Sequence, residues 1–275
     1  MRDLRFSIVI PSFNQGQFIE STIVSIIEQQ YPNTELIVID GGSTDGTTDI
    51  LRKYSTHISY WVSGPDAGQS HAIAKGFERA TGDIYCWLNS DDVYLGGALQ
   101  AVNKAFTQSK ADIVYGNKQI IDREGTVVSH RLVTPFLPDF MRDAYLCGGF
   151  GIYQPAAFWR RETYLRSGGI DQSLRFCMDN DLFDKFVIMG AHFQFLDMSL
   201  AGFRVHIDSK TSTQRLIAEA ESALLHKKYV LDRGVRFERL KKFGARSYRF
   251  AWFLMRGRLW QVLWMRYMDD LRWVP

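Results

Sequence analysis

Two short runs, Phe6-Ser-Ile-Val-Ile10 and Glu35-Leu-Ile-Val-Ile-Asp40, are almost continuously apolar and mainly β-branched. Such runs predict strands buried on both faces of a parallel sheet. Between them, over Gln17 to Gln30, Phe18/Ile19, Ile23 and Ile26/Ile27 recur at helical spacing until Pro32 forbids continuation. The chain therefore opens as a β-α-β unit. The alternation continues with a helix near 45–54, a strand near 58–62, a helix near 69–80, a strand at 83–88, a helix over 95–107 and a strand at 112–115. Residues 120–132 then read as a hairpin turning at Arg123-Glu-Gly125, and 134–176 as long shaped loops with only 153–160 strand-like. A helix near 179–189, strands near 192–196 and 201–205, and a helix near 213–232 follow. This order predicts an α/β fold around a mostly parallel sheet.

Composition changes this picture only at the tail. Of 275 residues, 46% are hydrophobic and 23% charged, which is ordinary for a globular chain and excludes disorder and low complexity. Cys86, Cys147 and Cys177 are odd in number and form no C-x-x-C pair, so a cytoplasmic, reducing setting is expected, with no disulfide framework or zinc site. Residues 1–5 lead straight into a strand, and no apolar stretch approaches the ~18 residues of a membrane span, so neither export nor a membrane crossing is expected. The net charge of +3 hides an asymmetry: residues 227–275 carry 13 Lys and Arg against 4 Asp and Glu, together with Trp252, Trp260, Trp264 and Trp273.

In an open parallel sheet, ligands bind beyond the carboxyl ends of the strands. Here those ends are acidic and glycine-rich: Asp40-Gly-Gly-Ser-Thr-Asp-Gly-Thr47, then Ser63-Gly-Pro-Asp-Ala-Gly-Gln69, then Leu88-Asn-Ser-Asp-Asp92. Each alone reads equally well as a turn and a helix cap, Asp91 and Asp92 capping a helix from about Val93. Together they concentrate negative charge on one edge, which a divalent cation offsets economically. Hard oxygen ligands suit Mg²⁺ or Mn²⁺ carrying a diphosphate, and the spacing does not suit zinc.

The order and spacing of Ile8-Val-Ile-Pro-Ser-Phe-Asn14, Asp40–Thr47, Gly64-Pro-Asp-Ala-Gly-Gln-Ser70, Asn89-Ser-Asp-Asp92 and Met178-Asp-Asn-Asp181 resemble glycosyltransferase family 2, over roughly residues 5–231. The resemblance implies the GT-A fold and inverting transfer of a sugar from a nucleotide donor, most naturally UDP-linked. It assigns Asp40 to the base or ribose, with Pro11, Phe13, Asn14, Gly41 and Ser43 around the nucleoside, Asp66 and Gln69 on a closing loop, and Asn89 and Ser90 at the ribose. Asn89 departs from the family's Asp-x-Asp, so the metal falls to Asp91, with Asp92 second and His206 a further candidate ligand. Asp179 becomes the base that deprotonates the acceptor hydroxyl, and Asp181 orients it or binds acceptor. Within Arg204–Thr211, Ser209, Lys210 and Thr211 are expected to contact phosphates. Gln154 and Trp159 are expected on the acceptor side, although any single aromatic here also suits the core.

The expected organisation is a catalytic unit over 1–231, nucleotide half 1–116 and acceptor half 117–231, followed by a helical tail over 232–275. Over 243–268, Tyr248, Trp252, Met255, Leu259, Leu263 and Tyr267 recur at helical spacing among Arg246, Arg249, Arg256, Arg258 and Arg266. That pattern suits either an anionic membrane face, placing the protein on the inner face of the plasma membrane, or packing on protein. By analogy with the family, the acceptor is a glycan or a polyprenyl-linked lipid. No nucleic-acid-binding signature accompanies the basic tail. The rivals are a catalytically degenerate scaffold of this fold and a nucleotidyltransferase, the latter weakened because Pro11–Gln17 holds no Lys or Arg.

Overall fold

The computed structural model describes residues 3–135, 138–148, 151–207 and 215–261. Strands β1 (Phe6–Ser12), β2 (Thr34–Asp40), β3 (Tyr60–Ser63) and β4 (Ile84–Trp87) alternate with helices α1 (Ile19–Ile27), α2 (Thr47–Lys53) and α3 (Gln69–Arg79). They lie parallel in the order β3-β2-β1-β4, so their carboxyl ends share one edge. There follow β5 (Val93–Tyr94), α4 (Ala98–Gln108), β6 (Ile113–Ile121), β7 (Val127–Arg131), α5 (Pro138–Leu146), β8 (Ala157–Arg160), α6 (Arg161–Ser167), α7 (Met178–Ile188) and β9 (Phe193–Arg204). Beyond them come α8 (Arg215–His226), a π-helical turn at Lys227–Leu231, and α9 (Glu238–Met255). The sheet continues from β4 as β8-β6-β9-β5, with β8 antiparallel to both neighbours, β6 parallel to β9, and β7 paired with β6.

The period of two along each strand sorts side chains into two cores. Phe6, Ile8 and Ile10 of β1, with Leu36 and Val38 of β2, pack with Ile19 and Ile23 of α1 and Leu99, Val102 and Phe106 of α4. Val9, Ile37 and Ile39 face the other way, toward Ile73 and Phe77 of α3 and Leu182, Phe183 and Phe186 of α7. Gly76 lets α3 sit directly on β1, since a Cβ there would meet a Val9 methyl at 2.4 Å.

Four expectations change. The stretch 134–176 contains two helices, α5 and α6, where loops were expected; its Gly and Pro content masks two short amphipathic segments. The strands expected at 192–196 and 201–205 are one strand, β9, irregular in register opposite Gly116 and Asn117. Likewise the strand at 112–115 and the first arm of the hairpin are one strand, β6. Asp91 and Asp92 cap no helix: β5 follows them, and α4 begins only at Ala98.

The tail covers itself differently from its sequence stripe. Tyr248 packs on the core and stacks with Trp252, Ala245 and Phe253 are buried, and Lys241 pairs with Asp143 of α5. Leu240, Phe243, Phe250 and Leu254 form a second apolar stripe, which is exposed together with Arg239 and Arg246. Helix α9 is thus apolar on two faces, one packed on the protein and one open. Leu263 and Tyr267 lie outside the described residues. Among those described, no helix is long and apolar enough to cross a membrane.

Candidate active site

The loops after β1 and β2 are zipped together by side-chain hydrogen bonds to backbone. Asn14, at φ 51°, donates its N–H to Ser43 Oγ (2.7 Å) and accepts the Thr44 N–H on Oδ1 (3.0 Å), while Gly16 N–H bonds Asp45 Oδ2 (2.8 Å). Asp40 is buried and accepts four donors: the Gly42 and Ser43 N–H groups and the Ser43 and Ser63 hydroxyls, at 2.5–3.2 Å. Its carboxylate therefore folds the loop, with three of the donors on Oδ2 and one on Oδ1. Pro11 is buried at the end of β1.

Beside this loop lies a slot of different character. The Phe13 ring is 61% exposed. Gly41 lets the Phe13 ring and the Asp66 carboxylate come up against the loop together, since a Cβ there would meet both at 3.2 Å, closer than an ordinary contact. Asp66 is held by the Gly68 N–H on Oδ1 (2.7 Å). The exposed Phe13 face can stack a planar heterocycle, and the Asp66 carboxylate can accept from an N–H on its edge.

At the end of β4, Asp91 Oδ2 lies 3.2 Å from His206 Nε2. The His206 ring packs on Phe18 (centroids 4.7 Å apart), and Arg204 covers Phe18 in turn. Asp92, the second metal candidate, turns away. It is fully buried and accepts the Arg204 backbone N–H (2.9 Å) and the Asn89 amide (3.3 Å), and burial, helped by Asp91, raises its pKa well above the ordinary carboxylate value. The structure thus corrects Asp92 from ligand to internal acceptor. It also explains Asn89: an Asp there would set a carboxylate against Asp92, whereas the amide donates to Asp92 and accepts from Gln69 Nε2 (2.9 Å). Ser90 is buried, and its carbonyl accepts the Thr22 hydroxyl of α1 (3.0 Å), which also bonds the Asp92 carbonyl (2.7 Å).

Asp91 and His206 fit Mg²⁺ or Mn²⁺ as two ligands of six, the remainder being left to substrate phosphates and water. No cluster of three or more His, Cys, Asp or Glu disposed to hold a metal occurs among the described residues. Arg204 offers phosphates nothing: its guanidinium bonds the Asp91, Asp122 and Arg123 carbonyls and Ser21 Oγ. Ser209, Lys210 and Thr211 lie outside the described residues.

Helix α7 carries three acids in three settings. Asp179, in its first turn, is half-buried and accepts the Asn180 N–H (2.9 Å). The turn that presents it is gathered by Glu221 of α8, which accepts the N–H groups of Arg175, Phe176 and Cys177 at 2.6–2.9 Å. Asp181 is fully buried and held by Lys185 (2.6 Å), Lys228 (2.9 Å) and the Tyr229 hydroxyl (2.6 Å). It pins α7 to the π-helical turn, which corrects its expected acceptor role. Burial pushes Asp184 up to about 8, reinforced by Asp181 and Asp179. Two acceptor-side candidates also move inward: Trp159 is 0% exposed among Trp87, Phe77 and Phe183, and buried Gln154 donates to the Trp87 carbonyl (2.7 Å). Glu221 and Asp184 carry no local sequence signal, because their roles arise from chain crossings far apart in sequence.

The sequence profile of glycosyl transferase family 2 matches residues 7–169, more than half of the chain. The chain belongs to glycosyl transferase family 2. It is 29% identical over 134 residues to the putative teichuronic acid biosynthesis glycosyltransferase TuaG of Bacillus subtilis, covering 47% of this chain and 52% of TuaG. It is 28% identical over 223 residues to an uncharacterized glycosyltransferase of Rickettsia typhi, covering 75% and 66% of the two chains. The chain thus spans about half the length of TuaG. In fold it is similar to S. aureus TarS 1-349 solved with UDP-GlcNAc (TM-score 0.59, 18% identity, 87% of this chain and 75% of that one). It is equally similar to the mannosyltransferase PcManGT of Pyrobaculum calidifontis, solved with GDP-Man and Mn²⁺ (TM-score 0.59, 18% identity, 98% and 81%). The family's GT-A fold is therefore that of this chain.

Proposed function

We propose that this family 2 member is an inverting glycosyltransferase that moves a sugar from a UDP-sugar to a hydroxyl of a glycan or polyprenyl-linked acceptor. The observation that carries the reading is the Asp91–His206 pair on the same sheet edge as the Phe13–Gly41–Asp66 slot. One site offers a hard cation-binding pair, the other a stacking wall with a carboxylate, which are the two ends of a nucleoside diphosphate. Asp66 takes the base-reading role in place of Asp40, and Asn14 and Ser43 shape the loop behind it. When bound, Mg²⁺ or Mn²⁺ would neutralise charge developing on the departing diphosphate. Asp179 accepts the proton of the acceptor hydroxyl, held in place by the Glu221-gathered turn. TarS has been solved with UDP and with UDP-GlcNAc, which supports a uridine donor.

The test is calorimetric titration of UDP with and without Mn²⁺. Wild type is expected to bind more tightly with the ion, and Asp91→Ala to lose at least ~10-fold of that gain, the order of a lost charged contact. Equal affinity of both proteins under both conditions would remove Asp91 from the site.

The open stripe of α9, four apolar side chains edged by Arg239 and Arg246 in a tail rich in cations, suits the interface of an anionic bilayer. This would place the enzyme peripherally on the inner face of the plasma membrane, near a lipid-linked acceptor. Sedimentation with phosphatidylglycerol vesicles is expected for wild type and not for Phe243→Glu/Phe250→Glu. Equal partition of both proteins would show that the stripe does not meet lipid.

A further inference from the structure

Lys118 sits on β6, away from every motif in the sequence, yet its position is unusual for a lysine. Its ammonium lies over two aromatic rings, 3.8 Å from the Phe203 centroid and 4.6 Å from that of Tyr153. Among the described residues no carboxylate comes within ion-pair distance of it, and no hydrogen bond to it is formed. Aromatic faces stabilise a cation but leave its N–H donors unused. In register beside it on β7 is a second cation, Arg131. The register partner of Lys118 on β9, Ala201, pairs in turn with Tyr94 of β5, just after the Asp91–Asp92 turn, and Arg204, next to Phe203, donates its backbone N–H to Asp92. Lys118 therefore lies beside the turn that carries the Asp91 half of the proposed cation pair.

Its physical state agrees with this placement. Desolvation lowers Lys118 to about 8, with Asp92 and Asp179 opposing the fall and Arg131 adding to it, so the group is still largely charged at neutral pH. A charge boxed by rings, with no carboxylate at ion-pair distance among the described residues, is arranged to receive an anion from outside the fold.

We propose that Lys118, boxed by Phe203 and Tyr153 beside the Asp91–Asp92 turn, binds an anionic oxygen of the donor: a diphosphate oxygen or a carboxylate on the transferred sugar. This rests on the donor-site reading above. It assigns the chain a cation of its own beside the metal-binding pair, and Phe203 and Tyr153 as the walls that hold it. A diphosphate bound there would meet a positive charge from the protein as well as from the ion. A carboxylate bound there would make Lys118 a selector of acidic sugars.

The experiment compares wild type, Lys118→Met and Lys118→Arg in calorimetric titrations with four probes, UDP, uridine, UDP-glucose and UDP-glucuronate, after equal thermal midpoints have been established. If the anion is the diphosphate, Lys118→Met binds UDP at least ~10-fold more weakly, the order of one charge-assisted hydrogen bond, while uridine binding is unchanged. If the anion is the sugar carboxylate, UDP and UDP-glucose bind as before and only the preference for UDP-glucuronate disappears. Lys118→Arg restores most of the lost affinity in either case, which a purely structural role would not give. Unchanged affinity of Lys118→Met for all four probes overturns the inference while leaving the donor site intact. Wild-type protein that binds none of the four overturns the donor-site reading, and the inference with it.

Discussion

Asp179→Asn is expected to reduce sugar transfer by ~10²–10⁴, the usual contribution of a positioned general base, with UDP affinity unchanged. The asymmetry follows from where Asp179 sits. It lies in the first turn of α7, on a turn fixed by Glu221, and not on the loops after β1 to β4 that carry Phe13, Gly41, Asp66 and Asp91. An amide there keeps the size and the hydrogen bond to the Asn180 N–H but cannot take a proton from a hydroxyl. Calorimetry with UDP and a transfer assay on the same preparation separate the two effects. Transfer retained at wild-type rate would remove Asp179 from the chemistry, and UDP binding lost in parallel would show that the substitution had disturbed the cleft.

Two residues along the same helix, Asp181→Ala is expected to act on the fold instead. Asp181 is fully buried and is met by two ammonium groups and the Tyr229 hydroxyl, all within 3 Å. Removing it leaves these donors without their common acceptor. Breaking a buried pair costs ~3–5 kcal/mol, and the lower end applies here because Lys228 is half exposed and can turn its charge to water. The loss should appear as a lower urea midpoint with an unchanged slope. Burial alone would raise the Asp181 pKa, but Lys185, Tyr229 and Lys228 hold it below the ordinary value of 3.8. A carboxyl depressed in the folded state contributes its stability fully above that value and loses it as the pH falls below it. The difference between wild type and Asp181→Ala should therefore shrink in strong acid. An Asp181→Ala protein as stable as wild type at neutral pH would contradict the pin.

These two substitutions also show what the sequence can and cannot reveal. Asp179 and Asp181 occupy one short motif and look equivalent in it. Only the return of Lys228 and Tyr229, some fifty residues on, separates base from strut. The strands and helices of the first third were legible because each carries its own periodicity, and the carboxyl edge followed from their parallel order. The loop-folding part of Asp40 was hidden for the opposite reason: its motif marks the loop, but the four donors its carboxylate accepts come from three different residues around it. Trp159 suits a sugar face in sequence and the core more readily, and the structure buries it fully. Asn89 looks like a defect in a metal motif until buried Asp92 is seen to need its amide. Lys118 had no local signal at all, because its box is made by rings from two other segments.

The measurement that bears most directly on the central claim is release of UDP when the purified chain is incubated with a panel of UDP-sugars and Mn²⁺, with Asp179→Asn run beside it. The account predicts UDP released by wild type from at least one sugar nucleotide, stimulated by a glycan or polyprenyl acceptor, and nearly none released by Asp179→Asn. No release from any UDP-sugar by protein that binds UDP would contradict it, and would leave a fold that holds the nucleotide without turning it over.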